Sequence, residues 1–135
     1  MASPAVDVAT FLAANLAGLS SGVNLFVGQP RESPAGIPPD ASFVVPVGGP
    51  TPIRSSGETS EFRVALVNVF VRNQDWKGGW DLAQSVLDAF NGLGGVPAGY
   101  ADADARQSAP ADFGQDDKGR SLFSVTARLR WNQAT

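Results

Sequence analysis

Along the first twenty residues Val8, Phe11, Leu12, Leu16 and Leu19 recur at helical spacing, with Asn15 on the same line, and predict an amphipathic helix. Ser3 followed by Pro4 starts it. A serine hydroxyl can accept from the free N–H groups of a first turn, and proline at the first helical position has no N–H to leave unpaired. "GLSSG" (18–22) ends the helix, and "VNLFV" (23–27) predicts a short strand. Residues 28–40, "GQPRESPAGIPPD", hold four prolines, which forbid a regular hydrogen-bonded element and predict a mobile connection. "ASFVVPV" (41–47) reads as a second strand, and Pro46, having no N–H for a neighbour, places that part of it at an edge or a bulge. The polar residues 48–60, "GGPTPIRSSGETS", predict a long mobile loop or the tip of a long hairpin. Such a segment either lies free on the surface or becomes ordered against a partner.

The stretch "EFRVALVNVFVRNQDW" (61–76) differs from its surroundings. Phe62, Val64, Leu66, Asn68 and Phe70 take one parity; Arg63, Ala65, Val67, Val69 and Val71 take the other. Apolar residues on both parities predict a central strand covered on both sides. Asn68 then needs a buried hydrogen bond or marks where one face opens toward a neighbour. Downstream, Trp76, Trp80, Ala83, Val86, Leu87 and Phe90 fall on one helical face that closes at Asn91-Gly92. Gly78-Gly79 weakens the first turn and predicts a firm start near Trp80, with both tryptophans and Phe90 in the core. "NGLGGVPAGY" (91–100) is a glycine-rich turn, and "ADADARQSAPADFG" (101–114) a weaker extended region. In "QDDKGR" (115–120), Gly119 suits a positive φ. The final "SLFSVTARLRW" (121–131) alternates: Phe123, Val125, Ala127, Leu129 and Trp131 face one side, and Ser124, Thr126, Arg128 and Arg130 the other. That cationic face is either solvated or meets carboxylates of another subunit.

Composition removes much chemistry. The 135 residues include no cysteine and no histidine, which excludes thiol nucleophiles, disulfides, zinc sites of the usual ligands and histidine general bases. Ten basic residues, eight of them arginine, face thirteen acidic ones, a balance that argues against gripping duplex DNA and suits protein interfaces. The N-terminal apolar stretch lacks a basic region and contains Asp7, so it reads as a helix of the mature protein, and no run reaches the ~18 apolar residues of a membrane span. Asp102 and Asp104 match the start of a calcium loop, but the glycine and glutamate that complete one are missing. Asp116 and Asp117 are adjacent and point apart in an extended segment, so they cannot act as a glycosidase pair. No glycine-rich phosphate loop or nucleotide fingerprint is present. The expectation is a non-enzyme with no cofactor and no metal.

The order of elements, with "VALVNVFVRNQDWKGGWDLAQSVLDAF" (64–90) followed by "DFGQDDKGRSLFSVTARLRW" (112–131), resembles the tail terminator (tail completion, or minor capsid) proteins of long-tailed bacteriophages. The likeness spans almost the whole chain. Its most telling pieces are the strand ending in Val71-Arg72, the acidic-aromatic link into a helix, and the turn "G-x-D-x-x-G-R" from Gly114 to Arg120. The resemblance implies a single α+β domain, with two main helices packed on a mostly antiparallel sheet of four to five strands. It further implies a homo-oligomeric ring, typically of six, at the head-proximal end of the tail tube. The ring ends tube polymerisation and joins the connector or stopper of the head, so the subunit is expected in the virion, and in the host cytoplasm during assembly. Other head-tail connector components (stopper, head-completion or tube proteins) share size and acidity, and a small ligand-binding domain is the distant alternative.

A ring needs two different complementary patches on each subunit. Arg63, Arg128 and Arg130 are candidates for one and Asp102, Asp104, Asp116 and Asp117 for the other, while Arg54 and Glu58 sit in the loop expected to meet tube and connector. A mildly acidic lumen would let DNA pass without binding it.

Overall fold

The computed structural model describes residues 3–32, 36–54, 61–93 and 95–133, with side chains at all of these except 48–54, 61, 62, 93 and 133. The chain forms one α+β domain. Its elements are α1 (Pro4–Asn15), β1 (Leu25–Val27), β2 (Ala41–Arg54), β3 (Glu61–Asn73), α2 (Trp76–Asp88), β4 (Asp102–Ala105), β5 (Ala111–Gln115) and β6 (Ser121–Gln133). The sheet runs β1-β2-β3-β6-β4, with β5 also paired to β6. Among the strand pairings of the described residues, the three-residue β1–β2 ladder is the parallel one. The described residues thus give six strands where four or five were expected, because the weak extended region 101–114 supplies two short ones on the same edge of β6.

Residues opposite one another in a ladder share a face, so the register sorts every side chain. Val67, Val69 and Val71 lie opposite Ala127, Val125 and Phe123 on one face, and all six are fully buried. Both helices cover this face. Val8, Leu12 and Phe11 of α1 and Ala83, Val86 and Leu87 of α2 complete a single core with it. The serine cap works as its chemistry predicts, Ser3 Oγ accepting from the Val6 N–H at 3.2 Å. The short strand is shorter than expected: Val23 lies in the preceding turn, exposed, and pairing begins at Leu25.

The opposite face corrects the expectation for β3. Val64, Leu66, Asn68 and Phe70 are only half-buried, so the strand is central but fully covered on one side alone. Asn68 does find a hydrogen bond, its Oδ1 accepting from Thr126 Oγ1 at 2.6 Å across the strands, but the pair is half-buried and the face around it stays partly open. Residues 48–54, expected in a polar loop or hairpin tip, continue β2 against β3 as far as Arg54 opposite Glu61, after a register shift between Val47 and Thr51. Pro46 sits beyond the last β1 pairing. Ser42 N–H and Val44 C=O are bonded to the β1 side, so Pro46, of the same parity, directs its missing N–H toward that open edge.

Of the glycine pair, Gly79 proves structural. α2 begins at Trp76, four residues earlier than expected, with Asp75 as its cap accepting from the Gly78 N–H at 3.0 Å. Gly79 lies against β6, where an added Cβ would come within 2.7 Å of the Phe123 ring. Helix and sheet approach this closely only because that Cβ is absent. Trp76 is half-exposed instead of buried, stacked on Trp80 and edge-on to Phe123. At the far end Gly92, at φ 105°, closes the helix through the wide turn Ala89–Leu93.

Gly79→Ala is expected to destabilise the fold by about 1–3 kcal/mol through overpacking. Gly78→Ala, whose nearest neighbour is the Asp75 carboxylate at 3.3 Å, is expected to stay within about 1 kcal/mol of wild type, since better helix propensity offsets a small shift of the cap. Urea denaturation of the two variants checks the contrast.

Candidate functional site

Two features of the less covered sheet face distinguish this molecule. The first lies at the end of the sheet where β3 runs out and β6 begins. Arg72, on the less covered side of β3 opposite Ala41 and Leu122, is only 4% exposed. Its guanidinium lies over the Phe43 ring, 5.0 Å from the centroid. It donates from Nε to the Pro39 carbonyl at 2.9 Å, from Nη2 to the Pro38 carbonyl at 2.9 Å and from Nη1 to the Arg31 carbonyl at 3.0 Å. Prolines offer free carbonyls because they enter no ladder, and the planar fork of arginine can satisfy several at once. The proline-rich segment, expected as a mobile connection, is thus tied down where it is described. It lays Ile37 beside Phe26, Phe43 and Phe70 in a small second core.

The turn 115–120 is closed by Asp116. Its Oδ1 accepts from the N–H groups of Lys118 and Arg120, each at 2.9 Å, and its Oδ2 from Arg120 Nε at 2.8 Å. Gly119 takes the expected positive φ, 77°. Arg120, buried, presents its two Nη atoms to the Glu32 carboxylate as a fork, with Nη1 to Oε2 at 3.1 Å and Nη2 on Oε1. Arg72 stands 3.5 Å and Lys118 3.6 Å from the same carboxylate.

The electrostatics follow from these contacts. The hydrogen bond from Arg120 holds the Glu32 carboxyl at about 2, aided by the charges of Arg72, Arg120 and Lys118 against a desolvation cost. The Asp116 carboxyl is likewise held at about 2, chiefly by Arg120 and then by the turn's N–H groups. Those two carboxylates push Arg120 up. Arg72 moves the other way, because burial among neutral carbonyls and the nearby Arg120 charge outweigh the attraction of Glu32.

The second feature is the open remainder of that face. Val47 (41% exposed), Val64, Leu66 and the Asn68–Thr126 pair form a half-exposed strip. Beside it, β4 and β6 set Asp104 opposite Arg128 and Asp102 opposite Arg130. The charged groups meet at 3.3 Å and 2.5 Å.

The candidate interface residues therefore do not separate into one basic and one acidic patch. Arg128 and Arg130 are matched by Asp104 and Asp102 of their own chain, because adjacent antiparallel strands put them in register. Arg63 lies opposite Trp131 on the helix-covered side, apart from the other two arginines. Asp116 closes its turn at the other end of β6, and Asp117 beside it is exposed. Arg54 ends β2, with its side chain outside the described set, and Glu58 lies outside the described residues. Sequence reasoning did not single out Arg72, Arg120 or Glu32 as a unit. The one available signal was an arginine ending an apolar strand, Val71-Arg72, which its length and charge make costly to bury without partners.

No protein-family model and no curated protein matches the chain.

Arg72→Lys retains the charge but cannot reach three carbonyls, and is expected to lower unfolding free energy by about 2–4 kcal/mol, read as a reduced urea midpoint. The depressed carboxyls set an acid limit. Their stabilisation is complete above the ordinary values of 4.5 for Glu32 and 3.8 for Asp116 and disappears as pH falls toward about 2. Urea midpoints measured from pH 6 to pH 2 are expected to drop across that window, and Glu32→Gln to flatten the drop.

Proposed function

We propose that this protein is a structural virion subunit, a tail terminator that forms a ring of six on the head-proximal end of a phage tail tube, stops tube polymerisation and joins the connector of the head. The observation that carries this reading is spatial. The sequence pieces most like that family, the strand end at Arg72 and the turn ending at Arg120, are far apart in the chain yet converge on one carboxylate, Glu32. They behave as parts of a single structural unit, which makes their joint occurrence more telling than either alone. The two-layer build adds support. With both helices on one face, the other leaves a half-apolar strip and a self-neutralised Arg–Asp ladder, a surface that a neighbouring subunit could cover without stranding a charge. The formal charge of −3 per subunit also suits a lumen that passes DNA without holding it. In this reading the ring, the tube protein and the head connector are its partners, and no chemical step is required of it.

Removing the protein from its phage is the decisive experiment. Overlong headless tails are expected; normal-length tails beside full, tailless heads would instead assign it to head completion. Purified protein mixed with tube protein should give rings or capped tubes by light scattering and negative-stain imaging, and a strictly monomeric species in that mixture would count against the proposal.

A further inference from the structure

We infer that the cradle of Arg120, Arg72 and Lys118 is a receptor for a carboxylate side chain of an acidic protein segment, and that Glu32 fills it in cis as a plug. The inference does not depend on the ring assignment.

Both buried arginines have partners besides Glu32. Arg72 is held by three backbone carbonyls and the Phe43 ring. Arg120 is held through its Nε and its backbone N–H by Asp116. Nη2 also stands 2.7 Å from Asp116 Oδ2, so Nη1 is given to Glu32 alone and Nη2 is shared between the two carboxylates; together they present a planar two-pronged edge whose best match is a planar carboxylate. Both arginines are more than nine-tenths buried, whereas the Glu32 side chain is 38% exposed. The permanent parts of the fold therefore supply the cations, and a half-exposed loop residue supplies the anion.

Geometry also provides an approach. A cleft of about 350 Å³ opens beside the carboxylate, lined by Glu32, Ile37, Pro39, Gln74, Lys118 and Arg120. Its lining is part apolar, Ile37 and Pro39, and part polar, Gln74 and Lys118, which suits an acidic side chain arriving on a peptide backbone better than a free ion. Lys118, 60% exposed, is placed to steer it. An incoming glutamate or aspartate would take over the Arg120 fork while Glu32 turns out to solvent, so no charge is left unpaired in the exchange. Because Glu32 is tethered, it competes at a high effective concentration and keeps the site closed to weak ligands.

The test is fluorescence anisotropy of a fluorescein-labelled polyglutamate peptide at fixed ionic strength. Removing the plug in Glu32→Ala is expected to tighten binding by at least about tenfold over wild type, as for any site freed from an intramolecular competitor. Glu32→Gln, which keeps the shape and part of the hydrogen bonding, should show the same direction and stands in if the alanine variant does not fold. Adding Arg120→Lys, which retains charge without the fork, should abolish the gain. Equal affinity in wild type and the Glu32 variants, absence of binding in the variants, or a gain that survives Arg120→Lys would overturn the inference. So would displacement of the peptide by inorganic phosphate at lower concentration than by acetate, since that would mark a site for tetrahedral oxyanions.

Discussion

The structure depends on one buried guanidinium. Placing Arg72 at the inner end of the central strand would be prohibitive if it were left unsatisfied, since a buried charge without partners costs several kcal/mol. Here three carbonyls, an aromatic ring and the edge of Glu32 surround it. The arrangement works in both directions. The proline-rich segment provides carbonyls that no ladder claims, and the arginine in turn holds that segment over Phe43 and Phe70. The second core exists because this tie brings Ile37 down onto the sheet.

That tie also divides the second face. Near Arg72 it is covered by the chain's own loop; toward Val47, Val64 and Leu66 it stays half-open. The helix-covered side shows no such division, being packed from Val71 through Leu129 by α1 and α2. The close approach of Gly79 to Phe123 sets the spacing of those layers, and the Trp76–Trp80 stack closes one margin. The half-open strip and the buried arginine cluster therefore both lie on the sheet side. The Arg–Asp ladder of β4 and β6 fits that location: surface pairs of this kind add little stability, but they let a face be covered by another protein without leaving one sign of charge unmatched.

Local readings succeeded where a short-range rule decided the outcome. Ser3-Pro4 starts a helix because the cap and the missing N–H act within one turn. Gly119 takes a positive φ because the turn into β6 demands it. Alternation from Phe123 to Trp131 assigns a buried face because the strand period is two. They failed where the deciding partner was distant in sequence. Trp76 satisfies a helical stripe yet lies half-exposed, stacked on Trp80 and donating its indole N–H to Asp112, 36 positions away. The apolar residues on both parities of β3 predicted two covering layers, but the chain places both helices on one side. Gly78-Gly79 read as a weak point, whereas Gly79 is where Phe123 presses in.

The sequence by itself determined the Ser3 cap of α1, the glycine close of α2, the centrality of β3 and the alternation of β6, which follow from period, propensity and capping within a few residues, while the α+β class was what the family resemblance implied. Only the tertiary structure decided that Arg128 and Arg130 find Asp104 and Asp102 in their own chain, and that Arg72 and Arg120 share Glu32. Those outcomes rest on strand order and register, which bring together residues up to 88 positions apart. A charge pattern read along the chain names the groups but not their partners, because Coulombic and hydrogen-bond energies depend on distance in space.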